Sequence, residues 1–322
     1  MKKLSFFVAA LTCALSMAGP NAYAQAFPNK PIRLIIPAAA GGPTDTLGRL
    51  IGKVMSEQNG VPVVVENKSG ASGSIGVYAV VQAPPDGYTL LVSTPDAVTV
   101  YPLVKKNAPY GIRDLKPITL IASTPYVFGV NAQSPAKTMK DFVALSKSQK
   151  LAMSTPGIGS SGHIVMELLM QQAGMDLLHV PYKGAGIALQ AIIAGETHIT
   201  ATSPVTLKGH IDSGKLRALA VSGAARNPVL PDVPTMVESG YPELVVHAWF
   251  AILAPAGVPD SVADKLNEMV LAAMRSPEYL ARVKALGLDP EPVSRGKFAQ
   301  QIGTEIARWG QLVDSVGIKS DE

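Results

Sequence analysis

The residues that could do chemistry in this 322-residue chain gather in three glycine- and hydroxyl-rich segments. They run from Pro37 to Asp45, from Gly70 to Gly76 and from Pro156 to His163. Each precedes a helical pattern. Glycine lets the backbone approach a ligand closely, and a helix start offers unpaired N–H groups and a positive dipole end, so a carboxylate or phosphate is the natural guest. The competing reading is that these glycines and hydroxyls only cap helices. Three such loops in one chain favour an anion-binding cleft, and because no arginine stands within them, backbone dipoles are the expected hold.

Other chemistries fit poorly. Gly157, Gly159 and Gly162 spell G-x-G-x-x-G, but the acidic residue that should close the next strand is absent there: Asp176 comes before that strand and Tyr182-Lys183 ends it. No nicotinamide or other cofactor is expected. There is no G-x-S-x-G elbow and no H-E-x-x-H, and His163, His179, His198, His210 and His247 lack zinc-like spacing, so no catalytic and no metal residues are assigned. Ser134-Pro135-Ala136-Lys137 matches S-x-x-K, yet the proline marks a linker turn. A serine hydrolase using Ser160 or Ser161 with His163 is the enzyme alternative, weakened by the lack of a paired orienting carboxylate. Ser93-Thr94-Pro95-Asp96 reads equally as a polar binding edge or as a capped turn. Net charge is +4 and the longest basic run is Lys105-Lys106, which leaves no nucleic-acid footprint.

The elements that must position these loops follow a leader. Lys2 and Lys3, the apolar run Leu4 to Ala18 and Ala22-Tyr23-Ala24 read as a secretory signal cleaved after Ala24. Gly19-Pro20-Asn21 breaks the run before it reaches membrane-spanning length. The one cysteine, Cys13, falls inside the leader, so an exported chain without disulfides must rely on a sizeable core. Strand patterns at Ile32–Ile36, Val61–Val65, Tyr88–Ser93, Ile118–Ala122, Tyr126–Val130, Lys150–Ser154, Leu177–Val180, His198–Thr202, Leu216–Val221 and Val245–Ala254 alternate with helical ones such as Thr44–Gln58, Ser161–Ala173 and Ala185–Ala194. This order predicts α/β architecture with parallel sheets covered on both faces, and ligands at the carboxyl ends of the strands.

The segments Pro31–Pro37, Ala40–Asp45, Val64–Lys68, Ala83–Leu91, Gly159–His163, His179–Gly184, Gly214–Ala220 and Asp232–Thr235 together resemble the substrate-binding proteins of tripartite tricarboxylate transporters, the Bordetella uptake family. They span nearly the whole chain in order. The resemblance implies a two-lobed periplasmic binding protein fold of type II-like form, with a mostly parallel sheet flanked by helices in each lobe. It places lobe 1 at residues 25–124 with 249–322 and lobe 2 at 125–248, with hinge crossings near Thr124–Val127 and Val246–Phe250. It also implies periplasmic capture of a small organic acid (a dicarboxylate, an aromatic carboxylate or an amino acid) and delivery to membrane permease subunits by a monomer. A sensor domain for the same ligands is the alternative.

Carried over by motif, the ligand-binding residues are Ala40, Gly41, Gly42, Thr44 and Asp45 from the first loop, and Ser160, Ser161, His163, Tyr182 and Lys183 from lobe 2. Ser72, Ser93, Thr94 and Asp96 are their expected neighbours. Asp45 should not touch a ligand carboxylate directly, since two anions repel; steadying its helix or anchoring a water is the role expected of it. Two positions depart from the family pattern: Ala38 stands where an aromatic is usual, and Asp96 is foreign to the end of strand three. An Asp96 facing the cleft would favour a ligand with an amine as well as a carboxylate.

Overall fold

The computed structural model describes residues 27–318, so the leader reading and Cys13 lie outside the described residues. The first third of the chain runs β1 (Ile32–Ile36), α1 (Pro43–Asn59), β2 (Val63–Asn67), α2 (Ser74–Val81), β3 (Thr89–Ser93), α3 (Tyr101–Val104) and β4 (Leu115–Pro125). A second unit follows as β5 (Val127–Asn131), α4 (Met139–Ser148), β6 (Leu151–Thr155), α5 (Ser161–Ala173), β7 (Leu177–Pro181), α6 (Ala185–Ala194), β8 (Ile199–Thr202), α7 (Pro204–Asp212) and β9 (Leu216–Val221). The chain then returns through β10 (His247–Pro255), α8 (Asp260–Met274), α9 (Pro277–Ala285), β11 (Asp289–Pro290) and α10 (Arg295–Val316).

Local chemistry explains the boundaries. Pro43 opens α1, where its missing N–H is harmless, and Gly60 closes it in the left-handed conformation. Thr138 and Asp141 form a reciprocal capping box on α4, and Ser160 caps α5. β2 starts two residues later than the apolar pattern predicts because Pro62 has no N–H to give, although its carbonyl still accepts from Ile32.

Two sheets result, ordered β11-β4-β10-β3-β1-β2 and β7-β6-β8-β5-β9. They are mixed, and most strands of each point one way, as expected of a mostly parallel sheet. β1, β2 and β3 pair in parallel, as do β6, β7 and β8, but β10 is antiparallel to both β3 and β4, and β5 is antiparallel to both β8 and β9. The reason is connectivity. β5 and β10 each follow a passage between sheets, so each enters its sheet from the interlobe end and runs against the strands that point towards that end.

Two crossings join the lobes, and Ser222 ties them together. Its hydroxyl accepts from the Tyr126 N–H at 2.8 Å and donates to the Val246 carbonyl, while its backbone pairs with Tyr126 and Val246 on either side. The last helix also spans both units. Phe298 and Ile302 pack with Trp249 and Leu253 against the first sheet, whereas Trp309, Leu312 and Val313 join Ile164, Val165 and Leu168 in the core of the second. Ser222→Ala should therefore leave a buried N–H and a buried carbonyl short of partners. It is expected to destabilise the protein by about 1–3 kcal/mol in urea titration.

Candidate functional site

The carboxyl ends of β1, β2 and β6 bring the three glycine loops to the junction of the lobes. Gly73 holds the first two loops together: its φ is +90°, and a Cβ there would stand 3.0 Å from the Pro37 carbonyl oxygen. Gly159 brings the third loop against lobe 1, since a Cβ on it would stand 2.7 Å from Val104 Cγ1 at a φ of +69°. Between them lies a cavity of about 280 Å³ walled by Ser72, Asp96, Tyr101, Val104 and Lys105 on one side and by Pro156 to Ser160 on the other. A larger recess, about 650 Å³, runs between β4, β10 and α10 and holds none of the glycine loops.

Much of the amide surface expected to bind an anion is engaged by the protein itself. Asp96 reaches across the cleft to the start of α5, where its carboxylate accepts from the Ser161 N–H at 2.6 Å and from the Ser161 hydroxyl at 3.0 Å. Such charge-assisted bonds at a helix start are strong. The buried Tyr126 hydroxyl is hydrogen-bonded to the same Ser161. Asp96 therefore faces the cleft, as a brace between lobes.

In the first loop, the buried Asp45 carboxylate accepts from Gly41 N–H at 2.9 Å, from Asn67 at 2.9 Å and from Arg49 at 3.0 Å. Burial alone would raise its pKa, but the Arg49, Gly41 and Asn67 hydrogen bonds outweigh it and hold the group at about 2. Asn67 also donates to the Ala38 carbonyl at 3.1 Å. Asp45 thus shapes the loop that carries Ala40, Gly41 and Gly42, rather than only steadying its helix or anchoring a water. Thr44 is buried beside it.

The remaining nominated residues divide. Ser72 and Ser160 line the cavity. Ser160 also accepts from the His163 N–H and donates to the Gly157 carbonyl. His163 is buried, with Nδ1 accepting from Gly159 N–H at 3.1 Å in the loop and Nε2 facing Glu167 of α5 at 3.2 Å. Ser93 is fully buried with an unpartnered hydroxyl, and neither it nor Thr94 forms part of the cavity wall. The Tyr182 hydroxyl is hydrogen-bonded to Glu196, and Lys183 is exposed outside the cavity wall.

Lys105 and Tyr101 escaped the sequence reading. Lys105 stood out only as half of a basic doublet, and what marks it in the structure is burial between lobes, which no local pattern reports. Glu305 was missed for the same reason. It lies on α10, far along the chain, yet its carboxylate accepts from Trp249 Nε1 at 2.6 Å and from Thr99 Oγ1 at 2.9 Å. Burial raises its pKa, while those hydrogen bonds oppose the shift. Among the described residues no cluster of His, Cys, Asp or Glu could hold a metal ion, and no helix is long and apolar enough to cross a membrane.

Residues 47–318 match the model described as "Tripartite tricarboxylate transporter family receptor". The chain is 33% identical to Protein BugT of Bordetella pertussis over 300 residues, covering 92% of each. Among solved structures, a Rhodopseudomonas palustris protein with adipate superposes with a TM-score of 0.81 at 31% identity, covering 90% of this chain and 98% of that one. MatC of the same organism with bound malate gives 0.78 at 32% identity, over 89% of this chain and all of that one.

The third loop carries a pH-sensitive prop. His179 stacks on His163 with ring centres 3.8 Å apart and pairs with Thr155 Oγ1 at 2.7 Å. Burial first, and then the neighbouring His163, push the His179 pKa down to about 4. A histidine kept neutral in the fold contributes stability above its unfolded pKa, near 6.5, and loses it as pH falls towards 4. Urea unfolding should show stability lost from this group between pH 7 and pH 4.5, and His179→Phe should remove that part of the acid dependence.

Proposed function

The chain belongs to the tripartite tricarboxylate transporter family of receptors, and we propose that it takes up a small carboxylated metabolite in the cavity between its lobes and passes it to the transporter's membrane permease without chemical turnover. In this reading residues 1–24 direct export to the periplasm and are removed. Lobe 1 comprises residues 25–124 with 249–322, lobe 2 comprises 125–248, and α10 fastens the two. Ser72, Asp96, Ser160 and Ser161 face the ligand. Ala40, Gly41, Gly42 and Thr44 form the rim of the first loop, while Asp45 and His163 act through the backbone they hold.

The observation that carries the reading is the cavity itself, assembled from both lobes and walled by glycine and hydroxyl loops. Contacts made to two lobes at once favour the closed arrangement, so ligand binding and closure are one equilibrium. The malate and adipate held by the two solved neighbours support a carboxylate as the cargo.

Mass spectrometry of small molecules released on denaturing the purified protein should identify an organic acid. Adding that acid at 100 times its dissociation constant should raise stability by about 2.7 kcal/mol. Release of no acid, and no thermal response to an acid panel, would overturn the proposal. Gly159→Ala, whose new methyl group would collide with Val104, should weaken binding of the released acid and enlarge the radius of gyration in X-ray scattering while each lobe stays folded.

A further inference from the structure

Lys105 follows α3 in the wall of the interlobe cavity, with its ammonium sealed from solvent and without a hydrogen-bond acceptor. Other lysines behave differently: Lys30, Lys53, Lys116 and Lys208 each reach a carboxylate within 3 Å. A buried ammonium without a counter-charge is expensive, and it is retained where an anion completes the site. No carboxylate among the described residues lies within ion-pair distance of it.

Asp96, in the same wall, does not supply the missing partner. Its carboxylate is turned to Ser161, where it accepts from the N–H at 2.6 Å and the hydroxyl at 3.0 Å. That contact has two consequences for a ligand. It occupies the start of α5, the one place in this wall where a second ligand carboxylate would find a helix dipole. It also fixes a negative charge in a cavity of only about 280 Å³. Each carboxylate oxygen keeps a further lone pair for a donor, so the wall offers one cationic and one anionic contact.

We infer that Lys105 and Asp96 form a charge-paired subsite for a small zwitterion, with Lys105 taking the ligand's single carboxylate and Asp96 its ammonium. The inference rests on the acid-capture reading above and narrows it. A diacid of the malate or adipate kind would place its second carboxylate beside Asp96 and be disfavoured, whereas an α- or ω-amino acid meets both charges. Tyr101 and Ser72 complete the polar surface, and the backbone of Gly157 to Ser160 closes the opposite wall.

Isothermal titration of the purified protein with L-alanine, β-alanine and γ-aminobutyrate, against propionate, butyrate, succinate and adipate, tests this. At least one amino acid should bind about tenfold or more tightly than the same-length acid without the amine and than either diacid. Lys105→Met should weaken that amino acid about 100-fold, while the ligand-free variant melts at or above the wild-type temperature, because an unpaired buried charge has been removed. Lys105→Arg should retain most of the affinity. Asp96→Asn should erase the preference for the amine.

Unchanged binding in Lys105→Met, or a diacid that outbinds every amino acid, would overturn this inference and leave the carboxylate reading standing. Wild-type protein that responds to none of the seven probes, and from which denaturation releases no acid, would overturn both.

Discussion

A single carboxylate spanning the cleft governs how the two halves of this molecule meet. Asp96 leaves the end of β3 in lobe 1 and ends on the first amide and hydroxyl of α5 in lobe 2. It does so where the helix dipole makes negative charge most welcome, so the contact is strong for its size and depends on direction. The third glycine loop, the Val104 contact on Gly159 and the cavity beneath them all depend on lobe 2 being held at this distance. Removing the charge would leave the start of α5 looking for another anion.

The strand directions make such a clasp possible. Strands that run towards the junction end there in loops, and each strand that comes back from the other lobe runs the opposite way, so both sheets deliver their loop-bearing edges to one place. Ser222 couples the two crossings, and α10 packs half on each core. Asp45, Asn67 and Arg49 on one side, and His163 and His179 on the other, keep the facing loops stiff, so that closure brings together surfaces that are already shaped.

The same arrangement sets apart the chemistry of the cleft. A binding site made only of helix amides would accept acids with little regard for what else they carry. Here several of those amides are already satisfied within the protein, and a sealed ammonium stands in the wall in their place. Electrostatics then decides more by exclusion than by attraction, because a second negative group has nowhere favourable to rest.

The sequence by itself determined the α/β class, the positions of nearly every strand and of three helices, and the three loops that reach the junction. Those features rest on local causes: β-branched runs, Pro43 and Ser160 at helix starts, and glycines at left-handed turns are readable within a few residues. The family resemblance was legible for the same reason, since its motifs are turns and strand ends. What only the tertiary structure decided was the reversed direction of β5 and β10, the divided allegiance of α10, the internal work of Asp45 and His163, and the place of Lys105. The contact of Asp96 with Ser161 joins residues 65 apart in the chain, and that of Thr99 with Glu305 joins residues 206 apart. A charge is recognisable in sequence, but whether it meets solvent, a helix end or nothing at all is settled only when distant segments close around it.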